Sequence, residues 1–128
     1  MLEIQKAIID KLSANLLTCV FGYVPENQDF PYIVVDYPDN DNNDTDTEDA
    51  FDSDVQVMVY SRYRGAKEAA DIAKEIYDLL HRVALSDTIS YSISTIHQSF
   101  SKIFTETDGL TRVSVQRFKV IFEPIPAI

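Results

Sequence analysis

Apolar residues recur at helical spacing over the first part of the chain. Ile4, Ile8, Leu12 and Leu16, with Ile9 beside them, fall on one side of a helix from near Leu2 to Leu17, while Glu3, Lys6, Asp10 and Lys11 take the other. Gly22 and Pro25-Glu26-Asn27 break this pattern. Pro31 then opens Tyr32-Ile33-Val34-Val35-Asp36-Tyr37, a β-branched and aromatic run that predicts a first strand, stopped by Pro38. From Val55 to Tyr60 the period changes to two, with Val55, Val57 and Val59 on one face; this second strand reaches back to Phe51 and forward to Tyr63. After Gly65, the residues Ala69, Ile72, Ala73, Ile76, Leu79, Leu80 and Val83 form one helical stripe opposite Lys67, Glu68, Asp71, Lys74, Glu75 and Asp78. The small Ala69 and Ala73 let the first turns of this second helix approach a sheet closely, and His81 and Arg82 suit the negative end of its dipole.

Two more strands follow. Ile89, Tyr91 and Ile93 alternate with serines, and the phase changes at Thr95-Ile96, where a bulge is expected before His97, Phe100 and Phe104. Asp108-Gly109 signals a turn. The last strand runs from Thr111 to Glu123, with Val113 and Val115 out of phase with Phe118, Val120 and Phe122; a bulge or face change near Gln116-Arg117 would reconcile them. Pro124 and Pro126 end it and leave a short extended tail at 124–128. The order helix-strand-strand-helix-strand-strand predicts one α+β domain over 1–128, a four-stranded mainly antiparallel sheet with two helices packed on one face.

Between the first two strands the character changes. Asp39, Asp41, Asp44, Asp46, Glu48, Asp49, Asp52 and Asp54 are interleaved with Asn and Thr, a composition unable to offset its ordering entropy by burial. A flexible acidic loop over about 39–50 is expected. Asp39, Asp41 and Asn43 begin like a calcium loop, yet the sixth position holds Asp44 where the turn needs Gly, and the twelfth holds Ala50 where a bidentate Glu belongs. No dedicated metal site follows; weak, non-specific cation binding at Asp39, Asp41, Asp44 and Asp46 would relieve carboxylate repulsion.

Charge and composition narrow the function classes. The 128 residues carry a net charge of -10, from 21 acidic and 11 basic side chains, which argues against a surface that neutralises phosphates and so against sequence-specific nucleic-acid binding. The single Cys19 cannot form an internal disulfide. The start of the chain lacks the apolar core of a signal peptide, and the stretch Leu16 to Val24 is too short to span a bilayer, so a cytoplasmic protein with no membrane contact is expected. Neither a G-x-S-x-G elbow, a phosphate-cradling Gly loop nor H-E-x-x-H occurs, and His81 and His97 read as structural. No enzyme and no cofactor are expected. The bases Arg62, Arg64, Lys67, Arg112, Arg117 and Lys119 lie at strand ends and on the last strand. Two readings stay open for them: charges that block unwanted edge pairing, or contacts with acidic surface of a neighbouring copy, the loop residues Asp44, Asp46, Glu48 and Asp49 among them.

One ordering of features goes further. An amphipathic N-terminal helix, Pro31-Tyr32-Ile33-Val34-Val35, a polar loop, Val55-Gln56-Val57-Met58-Val59-Tyr60-Ser61-Arg62, a helix led by Gly65 and ending Leu79-Leu80, and a closing strand Arg117-Phe118-Lys119-Val120-Ile121-Phe122 follow one another. This order resembles the tail terminator (tail completion) proteins of long-tailed bacteriophages over nearly the whole chain. The resemblance implies a non-catalytic subunit that forms a ring, a hexamer in related proteins, on the finished tail tube. Such a ring stops tube polymerisation and joins the tail to head–tail connector proteins; it is built in the bacterial host cytoplasm and sits at the head-proximal end of the virion tail. An acidic lining would repel the DNA that passes there. Two other readings share the size and acidity: a head-tail adaptor on the portal side, and an acidic inhibitor that mimics DNA, which would need ordered, regularly spaced carboxylates.

Overall fold

Helix α1 (Leu2–Asn15) turns Ile4, Ile8 and Leu12 fully inward, as its apolar spacing requires. The computed structural model describes residues 2–41, 51–83 and 91–124. Along them follow β1 (Cys19–Phe21), β2 (Tyr32–Val35), β3 (Asp39–Asp41), β4 (Phe51–Ser61), α2 (Lys67–Leu80), β5 (Tyr91–Thr105) and β6 (Arg112–Pro124).

The strands form one six-stranded sheet in the order β1-β2-β4-β6-β5, with β3 paired to β4 off this path. The α+β class and both helices stand as expected. The four-stranded antiparallel sheet does not: β1 lies parallel to β2, through Cys19↔Tyr32 to Phe21↔Val34, and β3 adds a further antiparallel pair, Asp39↔Asp54 to Asp41↔Asp52. Asp39 and Asp41 therefore belong to a strand, because the long β4 extends past β2 and offers its backbone groups there. The expected loop is shorter at its start, and Asp44, Asp46, Glu48 and Asp49 lie outside the described residues, as does the tail beyond 124.

Registers decide which side chains share a face. Ile33 stands beside Val59, Val35 beside Val57, and Val55 beside Phe118, so these rows face the helices together with Val120 and Phe122. Against them pack Ile72, Ile76 and Leu80 from α2 and the buried stripe of α1, closing one core. Helix α2 covers β4, β5 and β6, and α1 covers β1 and β2.

No face change occurs in β6: its pairing with β4 is unbroken from Ser61↔Arg112 to Phe51↔Phe122. Ser114 and Gln116 occupy the inward positions where apolar residues were expected, and Val113 and Val115 take the opposite face. The amide nitrogen of Gln116 donates to the carbonyl of Ala73 (2.8 Å) and to Oε1 of Gln98 (2.9 Å), tying β6 to α2. Gln5 does the same for α1, donating to the carbonyls of Val35 (2.8 Å) and Gly22 (3.3 Å). The irregularities fall in β5, as register shifts between Ile93 and Thr95 and between Gln98 and Phe100. The first adjoins the expected bulge; together they turn His97, Phe100 and Phe104 onto the helix-free face, beside Lys119, Arg117 and Val113.

Beyond α2 the chain turns at Arg82 and lies along the free side of β5. Arg82 donates its N–H to the carbonyl of Ile96 (2.8 Å), and the N–H of Gln98 donates to Nδ1 of His81 (2.9 Å). At Ile96 and Gln98, β5 is thereby bonded on the side away from β6.

Candidate assembly surfaces

The bases singled out by the sequence fall into two groups. Arg62, just past β4, is engaged within its own chain: Nε donates to Oγ1 of Thr111 (3.2 Å), Nη2 lies 3.7 Å from Oδ2 of Asp108, and the guanidinium covers Phe30 at 4.5 Å. Phe30 leads into an aromatic row, 5.2 Å from Tyr32, which stacks on Tyr60 at 5.0 Å. Burial raises the phenols of both Tyr32 and Tyr60 above their ordinary value, so they remain neutral packing groups. Arg112 donates to the carbonyl of Leu110 (2.6 Å), again a local contact. Arg64 stands exposed in the connection to α2, ahead of Gly65, whose φ of +75° requires glycine.

Asp108 organises the β5–β6 turn. Its Oδ1 accepts from the N–H groups of Thr111 (2.9 Å) and Leu110 (2.8 Å), and Oδ2 accepts from the hydroxyl of Thr111 (2.7 Å). These bonds, with the nearby Arg62, hold its carboxyl down to about 2. A carboxyl depressed in the folded state contributes stability that is complete above its unfolded value near pH 4 and is lost as pH falls toward about 2. In wild type, the amide resonances of Leu110 and Thr111 should hold their positions until the pH nears about 2. In Asp108→Ala this acid-dependent step should vanish. A midpoint near 4 for those amides in wild type would contradict the cap.

Arg117 and Lys119 form the second group, on the face away from the helices. Three rows cross β4, β6 and β5 there: Met58, Val115 and Lys102; Gln56, Arg117 and Phe100; Asp54, Lys119 and His97. The Arg117 guanidinium lies 5.4 Å from the Phe100 ring centre. A protein with a net charge of -10 thus carries a mixed basic and apolar strip on one sheet face. Sequence reasoning singled out Arg117 and Lys119 and left out Lys102 and Phe104, which share their face; the signal was there in the exposed run Phe100–Phe104.

Among the described residues, no group of three or more His, Cys, Asp or Glu could hold a metal ion. Two open grooves lie beside α2, one lined by Thr18, Lys67, Glu68 and Asp71, the other by Leu16, Ile72, Glu75, Asp78 and Leu79.

The helix-free face is mixed basic and apolar, and Gln5 and Gln116 tie the helices to the sheet; a mixed face of this kind suits contact with another protein. The chain belongs to the family of tail completion protein gp17, which matches residues 6–123, and is a structural protein of the bacteriophage tail. A chain from the virion of a native gene transfer agent particle shares the fold, with a TM-score of 0.84 at 18% identity over 94% of this chain and 95% of that one. A second solved chain aligns with a TM-score of 0.61 at 13% identity, covering 98% of this chain and 94% of the other. No curated protein matches.

Proposed function

We propose that this protein caps the tail tube as a ring of identical copies, hexameric in arrangement, that stops tube polymerisation and joins the tail to the head–tail connector. Family membership supports the tail location. The observation that carries the reading is the basic-apolar strip of Lys102, Phe100, Arg117 and Val115 on a strongly acidic protein. Such a strip suits a protein surface, since its apolar part gains from burial and its charges select an acidic partner. The tail tube protein is the partner assigned to it. Arg64 and the acidic segment of Asp44, Asp46, Glu48 and Asp49 would serve contacts with neighbouring subunits, while Arg62 and Arg112 act by holding the β5–β6 hairpin in shape. Assembly would take place in the bacterial host cytoplasm, with the ring ending at the head-proximal end of the tail.

Purified protein should sediment as an oligomer, appear as rings by electron microscopy, and arrest growth of tail tubes at sub-stoichiometric amounts. Arg117→Glu should retain the rings and lose most of this arrest. A strict monomer at every concentration, with no affinity for tubes, would sink the reading.

A further inference from the structure

The helix side of the molecule, across the sheet from the basic strip, carries an apolar groove of the opposite charge. The larger groove beside α2, about 590 Å³, opens between that helix and the chain just past α1. Its floor is apolar: Ile72 is buried, and Leu16 and Leu79 are half-buried at the margin of the core. Leu17, on the wall beyond α1, is fully exposed. Water around these side chains is released when another apolar group covers them.

The ionisable side chains in the lining of this groove are both carboxylates, Glu75 and Asp78, exposed and one turn apart on α2. Neither has an ion pair among the described residues, although Lys74 stands on the same helix. Like charges at this spacing repel each other, and a cation from outside relieves them. Apolar floor, exposed leucine wall and acidic rim together are complementary to a segment with an apolar anchor flanked by basic side chains.

We propose that this groove docks a basic, apolar-anchored segment of the connector on the head side of the ring. The anchor settles between Leu17 and Leu79, and its flanking Lys or Arg side chains reach Glu75 and Asp78. This deepens the ring reading and rests on it: a ring between tube and connector needs two contact surfaces, and the helix-free strip is the one assigned to the tube. The strip and the groove lie on opposite sides of the sheet and differ in charge, so a partner that fits one is repelled by the other. The ring then accepts its two partners on fixed sides.

Tails completed with variant protein, mixed with purified DNA-filled heads, test the assignment. Glu75→Lys with Asp78→Lys should arrest tube growth as wild type does, which also shows that it folds, while the count of joined particles by electron microscopy falls at least about tenfold. Leu17→Glu should do the same. Asp10→Lys with Glu26→Lys, an equal change of charge on exposed residues outside the groove, should join heads at the wild-type level. To identify the occupant, Leu17→Cys with Cys19→Ser would carry a photoactivatable label on its single thiol; in joined particles it should cross-link to a basic segment of a head-borne protein. Cross-linking to a second copy or to the tube protein would overturn the groove assignment and leave the ring intact, as would undiminished joining by the groove variants. Loss of arrest together with joining would make the groove a ring or tube contact and overturn it too. Wild-type protein that forms no ring and arrests no tube would overturn the ring reading itself.

Discussion

Truncating Phe118 to alanine should lower the unfolding free energy by about 3–5 kcal/mol. Phe118 is fully buried at the centre of β6, beside Val55 on β4, and belongs to the cluster that unites both helices with the sheet. The loss combines the transfer energy of the ring with the cavity left behind, and β6 cannot move to fill that cavity because its pairing with β4 runs unbroken on either side. Against the total of roughly 5–15 kcal/mol typical of a domain, such a change removes much of the stability. Urea denaturation checks it: the midpoint should fall with the slope unchanged, and Phe118→Leu should recover more than half of the difference. Lys102→Ala, exposed on the neighbouring strand, should stay within about 0.5 kcal/mol of wild type. A loss below about 2 kcal/mol at Phe118 would mean that the core is not closed around it.

What could be read along the chain was what local period decides. The alternation of Val55, Val57 and Val59 stands because β4 has helices over one face, and the stripe from Ala69 to Leu80 stands because α2 has one buried side. The missed strands are those fixed by pairing at a distance. Cys19-Val20-Phe21 continues an apolar run from Leu16, and only β2, reached after the segment 22–31, makes it a strand. Asp39-Asn40-Asp41 has the composition of a loop, and β4 overrides that preference with backbone bonds. In β6 the apolar code itself misled: Ser114 and Gln116 face inward, so the phase judged from Val113 and Val115 was that of the other face. The same limit applied to function. Arg62 could be singled out as an exposed base, but its hydrogen bond to Thr111, 49 residues away, could not be known before the β5–β6 turn was placed beside it.

Gln116 offers the sharper test of how the inward polar positions are tolerated. Its amide nitrogen serves Ala73 and Gln98, while its Oε1 is buried without a partner, as is the hydroxyl of Ser114 nearby on the same strand. Gln116→Glu replaces a donor with a carboxylate that faces two acceptors, the Ala73 carbonyl and Gln98 Oε1, in a buried setting. Burial and these acceptors both favour the protonated acid, so its folded pKa must rise above the unfolded value of about 4.3. The sign then follows. Stability of the variant is best below about pH 4 and falls as pH rises from there, reaching a deficit of about 3 kcal/mol or more near neutrality. Gln116→Leu keeps the volume and removes the unpartnered oxygen. The Ala73 carbonyl still accepts along α2, and the half-buried Gln98 can turn to water, so this variant should stay within about 1.5 kcal/mol of wild type. Urea midpoints of both variants between about pH 4 and about 8 decide the matter. A flat profile for Gln116→Glu would place that side chain in water, and a loss above about 3 kcal/mol for Gln116→Leu would make the tie to α2 a main support of the fold.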